Sequence, residues 1–468
     1  MKNIDTFIKS LNKVLAIQNF GSSGSKFIHA LLDSHPHILA IPTLYMMYYY
    51  DFWGKDIKKN RAVAIDEFIR KHLYWFDPKG YSPWGTDKMG PNRDEVAYVE
   101  KDVFKKNLNI ALGKNGEVSR KLFFKSLYVA YSLSIDKKLE MEPDQYILLY
   151  PYHTSRKDVA LELTKDFPNT YFLHCFREII QTLGSTAKIG FNRWGGMVKF
   201  DFKDDQLCKL GKPKLKRKNT ISTTTALIEL SIFLSDRYIA NLVPYKIYAY
   251  SPIINEYKSS SRAIKLEDLV ENPNNTLLKL CQWLNIPWND ELLKPTYNGK
   301  TWWNRPESAK VTGFSKIPLA RKHGDIINNF DRYRLEIILS KLKKKMGYSY
   351  VEWNPNSMKK AILFMSYLIP LKIEFISMLP SKYSFYHNFN YFSNKRNMMK
   401  SIIKHRSFRF NKMLNRAGIK GIRRKEFRNF FHGWFMLIPI RSYINVRLLL
   451  FKAHNKLLEQ ELEVVDIL

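Results

Sequence analysis

From Leu15 an apolar strand-like run, Leu15-Ala-Ile-Gln-Asn19, passes through Phe20-Gly-Ser-Ser-Gly-Ser25 into the amphipathic segment Lys26 to Leu32. A strand that enters a helix through so few small residues must turn back over its own sheet. The architecture built from such turns is a parallel sheet covered by helices. The turn also has a chemical consequence. Gly21 and Gly24 let backbone N–H groups point inward with no Cβ in the way, and Ser22, Ser23 and Ser25 add hydroxyl donors. The helix that follows contributes its first-turn amides and the positive end of its dipole. Such a loop is a cradle for a phosphate or a sulfate group.

The spacing discriminates between guests. A nucleoside-triphosphatase loop requires a hydroxyl residue directly after its lysine to ligate magnesium, and here Lys26 is followed by Phe27. Strand-like runs at Val14 to Asn19, Tyr146 to Tyr150, Thr170 to Phe176, Lys246 to Tyr250 and Ala263 to Leu266 alternate with helical patterns, which predicts an α/β fold with a parallel sheet. The third run ends at Arg177, and Ser185 lies about two helical turns beyond it. Open α/β sheets bind ligands at the carboxyl ends of their strands, so Arg177 and Ser185 are placed to reach one phosphate. Tyr146-Ile-Leu-Leu-Tyr-Pro-Tyr-His153 reads as a strand that ends in His153, and an imidazole titrates near neutrality and suits proton transfer.

Ser23-Gly-Ser25 and Leu31-Leu-Asp-Ser-His-Pro36 resemble the 5′-phosphosulfate loop and following helix of sulfotransferases that use 3′-phosphoadenosine 5′-phosphosulfate (PAPS). The Arg177 and Ser185 spacing is similar to that of the family's 3′-phosphate site. Ala263-Ile-Lys-Leu-Glu-Asp-Leu269, the Pro273 helix, Gly299-Lys-Thr-Trp302 in a loop, and a terminal helix from Tyr333 to Lys345 follow in the family's order. The resemblance runs from about Val14 to Tyr350 and implies a three-layer α/β/α, P-loop-like sulfotransferase fold with a central parallel sheet. It implies Ser22, Ser23, Gly24, Ser25, Lys26 and Phe27 around the 5′-phosphosulfate. Arg177 and Ser185 would hold the 3′-phosphate, with Arg321 and Lys322 closing over it, and His153 would take the acceptor's proton. Glu267 and Asp268 are read as structural, pairing with loop amides or a helix start. Asp33, His35 and Glu178 are less favoured bases than His153. Two departures stand out: Ser22 occupies the position of the family's basic residue, which leaves Lys26 to substitute for it, and Pro151 and Tyr152 replace the Lys and Thr before the family's His. PAPS is the implied co-substrate, and no metal is implied.

At 468 residues the chain accommodates a catalytic domain at 1–350 and an appendage at 351–468. A net charge of +33 with 45% hydrophobic content describes a folded protein whose partners are anionic. Nucleic acid is not expected among them, because an enzyme of PAPS and acidic glycans would be basic too. Cys175, Cys208 and Cys281 are odd in number and widely spaced, which fits a reducing compartment and predicts neither disulfide nor zinc site. Met1 to Asn12 lacks an apolar core, so a cytoplasmic enzyme is expected. The aromatic stretches Tyr45 to Trp53 and Leu73 to Trp84 read as several short helices, serving as core or as an acceptor pocket. The run from Lys209 to Lys218 is a solvated basic loop or an acceptor contact.

From Asn354 onward the chain is basic, aromatic and helical in pattern, but Pro370 and Pro439 with nearby charges interrupt its apolar stretches. This extension suits either the surface of an anionic membrane or packing on the catalytic domain or a second subunit. The implied acceptor is a saccharide, glycolipid or lipid. Two other classes remain open on the residues alone. They are a magnesium-dependent nucleotide kinase or triphosphatase, and a non-enzymatic basic protein that binds membrane or nucleic acid.

Overall fold

The computed structural model describes residues 4–19, 23–42, 46–54, 56–76, 86–114, 116–153, 157–182, 184–185, 257, 259–303, 312–320, 327–352 and 466–468. Among these, five strands form one parallel sheet in the order β2-β5-β1-β6-β7: β1 Lys13–Asn19, β2 Ile38–Ala40, β5 Ile147–His153, β6 Thr170–Phe176 and β7 Ser261–Lys265. Helices cover both faces, which gives the three-layer α/β architecture expected from the alternating pattern. The expected strand at Lys246 to Tyr250 lies outside the described residues, as do 353–465, which make up nearly all of the expected appendage.

β1 sits at the centre and is buried on both sides, the environment that makes a parallel strand read as a continuous apolar run. Val14 and Ala16 join one core, Leu15 and Ile17 the other. The second core holds α2 (Ser25–Leu32), α8 (Leu266–Glu271) and α9 (Pro273–Leu284). The first holds α1 (Ile4–Ser10), α3 (Tyr49–Trp53), α4 (Arg61–Lys71), α5 (Lys101–Leu112), α6 (Arg120–Ser134) and α7 (Lys157–Asp166). A short antiparallel pair, β3 (Lys58–Asn60) and β4 (Glu117–Ser119), ties the start of α4 to the start of α6. Of the two readings for the aromatic stretches, packing prevails at Tyr49, Tyr50, Phe52, Trp53 and Trp75, all of which are buried. Their rings meet largely edge to face, as at Tyr49 and Phe124, 5.0 Å apart. Residues 77–85 of the second stretch lie outside the described residues.

β2 has no counterpart in the sequence reading, and β5 runs to His153 as read although it contains a proline. β2 is only three residues long and follows α2 after a tight turn, too short for a periodic signal. β5 continues past Tyr150 through Pro151, although proline is normally excluded from an interior strand. Ile147 donates its N–H to His37 O on the β2 side, so residues 149 and 151 face that side too. β2 ends at the Ala40 and Leu149 pair, so at Pro151 no strand lies on that side to want a donor. β5 therefore reaches His153 with only β1 beside it.

At the base of the first core, Arg120 opens α6 and donates Nε to Asp166 Oδ2 at 2.7 Å and Nη2 to Asp166 Oδ1 at 3.1 Å. It also pairs with Glu162 at 2.9 Å, lies over the Tyr50 ring at 4.9 Å, and is almost wholly buried. This network locks α6 to α7, and it is costly to half-dismantle because a buried guanidinium is left behind. Asp166→Ala is expected to destabilise the protein by about 3 kcal/mol in urea unfolding, the low end of the range for broken buried pairs because Glu162 stays in place.

Candidate functional site

The carboxyl ends of β5, β1 and β6 lie side by side, and Gly24, Ser25, Arg177 and the backbone of His153 stand at or just beyond them. Asn19, the last residue of β1, is the register partner of His153, the last of β5, and Gln18 is the partner of His174 in β6. α2, which follows β1, lies on the second-core face, and α7, which follows β5, lies on the first, so the chain leaves these two neighbouring strands on opposite sides of the sheet. Open α/β folds bind ligands at such a divergence. The side chain of His153 and all of Phe20, Gly21 and Ser22 lie outside the described residues.

Gly24 precedes α2 with φ of 92°, in the left-handed region. Its carbonyl accepts the N–H groups of Phe27 at 2.8 Å and Ile28 at 3.0 Å, which starts the helix. A Cβ at Gly24 would lie 2.8 Å from Leu266 Cδ1, the movable end of a side chain, so it is the left-handed backbone angle that demands glycine. Ser23 and Ser25 flank it and are buried, and Lys26 is half-buried on the first turn. Phe27 has its N–H committed to Gly24, and its ring is buried and packs edge-on against Phe314 at 5.3 Å. Its place at the loop is that of an anchor. Phe27, Ile28, Leu31 and Leu32 are all buried, a gross contribution of roughly 6 to 12 kcal/mol that holds the helix start in position.

The segment Asp33-Ser-His-Pro36 is where α2 is fastened. Asp33 caps the end of the helix, and its Oδ2 accepts from Thr296 Oγ1 at 3.2 Å and from Gly299 N at 3.3 Å. Lys137 donates to the carbonyls of Ile38 at 2.7 Å and Asp33 at 3.4 Å. Burial pushes the Asp33 carboxyl up to about 6. His35 is held as one neutral tautomer. Its Nδ1 accepts from His37 N at 3.1 Å, so the proton sits on Nε2 and is donated to Pro287 O at 3.0 Å. These contacts make Asp33 and His35 fasteners of the helix.

The partner of Asp33 is a hairpin, β8 (Thr296–Tyr297) and β9 (Lys300–Thr301), where the sequence pattern implied a loop. Its turn, Asn298-Gly299, has φ of 54° and 69°, which matches the type I′ turn that such a dipeptide favours. The signal was legible: Asn-Gly between two short β-prone pairs is a strong hairpin mark. The hairpin also clasps the start of α2, because Tyr297 Oη donates to Lys26 O at 2.9 Å.

On the other side of β1, Arg177 stands one residue beyond β6, and residues 179–182 and 184–185 are helical. Its guanidinium is buried; Nη1 donates to Ser185 Oγ at 3.2 Å and Nη2 to Pro318 O at 2.5 Å. The spacing of Arg177 and Ser185 thus brings the two into contact. Glu267 accepts the N–H of Glu178 at 2.9 Å, the loop-amide role read for it. Arg321 and Lys322 lie outside the described residues, three and four positions along the chain from Pro318. Among the described residues no three His, Cys, Asp or Glu side chains gather as a metal site, and no helix is long and apolar enough to cross a membrane.

No protein-family model matches the chain. No curated protein matches it either. Among solved structures, the sulfotransferase domain from the curacin biosynthetic pathway is similar over 73% of this chain and 99% of its own, at 13% identity and a TM-score of 0.36. The sulfotransferase domain of a Synechococcus olefin synthase is similar over 73% of this chain and 96% of its own, at 12% identity and a TM-score of 0.32. A sulfotransferase from Mycobacterium avium covers 62% of this chain and 70% of its own, at 11% identity and a TM-score of 0.28.

Two outcomes follow from this geometry. Gly24→Ala forces a non-glycine residue into the left-handed region, and thermal unfolding should show a loss of about 1 to 2 kcal/mol. The second concerns pH. Burial pushes His35 and His72 down to about 4 and His174 to about 3. In the unfolded chain these groups protonate near 6.5, so below that value the unfolded state binds protons that the fold refuses, and stability falls with pH down to about 4. Asp33 acts oppositely: between 3.8 and about 6 its folded form keeps a proton the unfolded form has released, which offsets one histidine's share. The thermal midpoint should therefore drop as pH is lowered through this window, and a flat profile would contradict three buried neutral imidazoles.

Proposed function

We propose that the chain is a sulfotransferase that moves a sulfuryl group from PAPS to a hydroxyl or amine of a saccharide, glycolipid or lipid. The observation that carries this is the juxtaposition at adjacent strand ends. Arg177, buried beyond β6 and bonded to Ser185, stands one strand away from a glycine-serine loop that opens α2 at the left-handed Gly24. Two features suited to anions, of different design at one sheet edge, match a nucleotide with phosphates at both ends of its ribose, and the resemblance of the sequence motifs to those of PAPS-dependent sulfotransferases favours PAPS as that nucleotide.

In this proposal Ser22, Ser23, Gly24, Ser25 and Lys26 hold the 5′-phosphosulfate, with Phe27 anchoring the loop. Arg177 and Ser185 take the 3′-phosphate, and Arg321 and Lys322 close over it. His153 accepts the acceptor's proton as that oxygen or nitrogen attacks sulfur in line, and the bond from sulfur to the 5′-phosphate oxygen breaks. The charge left on that oxygen is met by the N-terminal end of α2 and by Lys26. The Lys26-Phe27 step provides no hydroxyl for magnesium, so positioning and charge stabilisation carry the reaction. The basic region after Asn354 would hold the enzyme at an anionic cytoplasmic membrane face, beside lipid-linked acceptors.

The test is calorimetric binding of adenosine 3′,5′-bisphosphate, ADP and ATP without magnesium, on the whole chain and on Arg177→Ala. A charged hydrogen bond to the 3′-phosphate should give the bisphosphate at least about a tenfold advantage, lost in the variant. Equal or absent binding of all three would overturn the proposal. ATP binding that appears only with magnesium would favour a kinase, and steeply salt-dependent binding with no nucleotide preference a surface-binding protein.

A further inference from the structure

Arg177 is steered by a residue from a different strand end. Glu267, on the first turn of α8, sends Oε1 to the N–H of Glu178, the peptide that leaves Arg177, at 2.9 Å. Its Oε2 accepts from Tyr348 Oη at 3.2 Å, just beyond α10 (Asn329–Lys345). Burial raises the Glu267 carboxyl, and the Arg177 charge acts against that rise, so carboxylate and guanidinium sense one another. Glu178 is gripped as well. Its Oε2 accepts the N–H of Gln181 at 2.9 Å, which caps the helical turn carrying Ser185, and its Oε1 pairs with buried Lys343 of α10 at 3.2 Å. The residue that follows Arg177 is thus tied to α8 through its N–H and to α10 through its carboxylate, and the fork Arg177 presents to Ser185 and Pro318 inherits its aim from those ties.

We propose that Glu267, oriented by Tyr348, is a positioning residue that sets the direction of the Arg177 fork and thereby the selectivity for a 3′-phosphorylated nucleotide. The proposal rests on the cofactor assignment made above. Glu267 touches no ligand in it; a bidentate donor is worth its full strength only when both N–H groups point at the oxygens, and a misdirected peptide at residue 178 rotates that fork.

The readout is the ratio of affinities for adenosine 3′,5′-bisphosphate and ADP, measured by calorimetry on the intact chain. A purely structural loss would lower the melting temperature and weaken both nucleotides alike, leaving the ratio unmoved. Glu267→Ala should cut the ratio by about tenfold, with ADP affinity within about twofold of the parent chain. Glu267→Gln keeps an acceptor for Glu178 N–H and an amide for Tyr348 and should hold the ratio within about twofold. Tyr348→Phe, which removes one hydroxyl and preserves the ring, serves where the alanine variant fails to fold, and should cut the ratio about threefold. A ratio that Arg177→Ala abolishes but Glu267→Ala and Tyr348→Phe leave intact would overturn the positioning role and leave the cofactor assignment standing. A parent chain with no preference between the two nucleotides would overturn both.

Discussion

The seating of α2 against the sheet is the contact on which the carboxyl edge depends. Burial of Phe27, Ile28, Leu31 and Leu32 draws the helix onto β1, and Gly24 is the joint that takes the left-handed backbone angle the chain needs to turn there. The far end is fastened by Asp33 to the β8 and β9 hairpin, and the near end by Tyr297 to the Lys26 carbonyl. Backbone amides at a helix start have no side chain with which to correct their own aim. Their direction has to come from packing elsewhere, and here it comes from a helix held at both ends.

A different economy governs Arg177. A buried guanidinium is expensive to desolvate, and the fold surrounds it with fixed oxygens: the Ser185 hydroxyl, the Pro318 carbonyl and, through the Glu178 peptide, Glu267. Arg120 shows the structural counterpart in the same molecule, a buried guanidinium held bidentate by a carboxylate and stacked on an aromatic ring. The contrast lies in what the Nη groups meet. Those of Arg120 go to carboxylates, and those of Arg177 reach the Ser185 hydroxyl and the Pro318 carbonyl among the described residues. Polar buried groups around the loop likewise answer to position. His174 pairs with Gln18 at 3.2 Å directly beneath the strand ends, and desolvation keeps it neutral.

Much of this was legible from the chain. The strand-loop-helix at Leu15 to Leu32, the β6 strand at Thr170 to Phe176 and the Arg177 to Ser185 spacing all announced themselves because apolar period, small residues and an arginine at a strand end are local signals. β2 escaped because three residues carry no period, whereas β5 was readable to His153 even though Pro151 is tolerated only where no neighbouring strand needs its N–H. The hairpin at Thr296 to Thr301 was readable from Asn298-Gly299 but not its purpose, since nothing in those residues says that Asp33 lies above them.

The α/β class, the glycine-serine turn that opens α2 and the contact of Arg177 with Ser185 were readable from the chain alone, because each depends on patterns among residues within a dozen positions of one another. The tertiary structure alone decided which groups act together: that β5 delivers His153 beside the end of β1, that Asp33 and His35 fasten a helix, and that Glu267 and Tyr348 stand behind Arg177. Those relations join residues far apart in the chain. They exist because burial of two apolar faces on one sheet selects a single strand order, and strand order is a property of the folded whole.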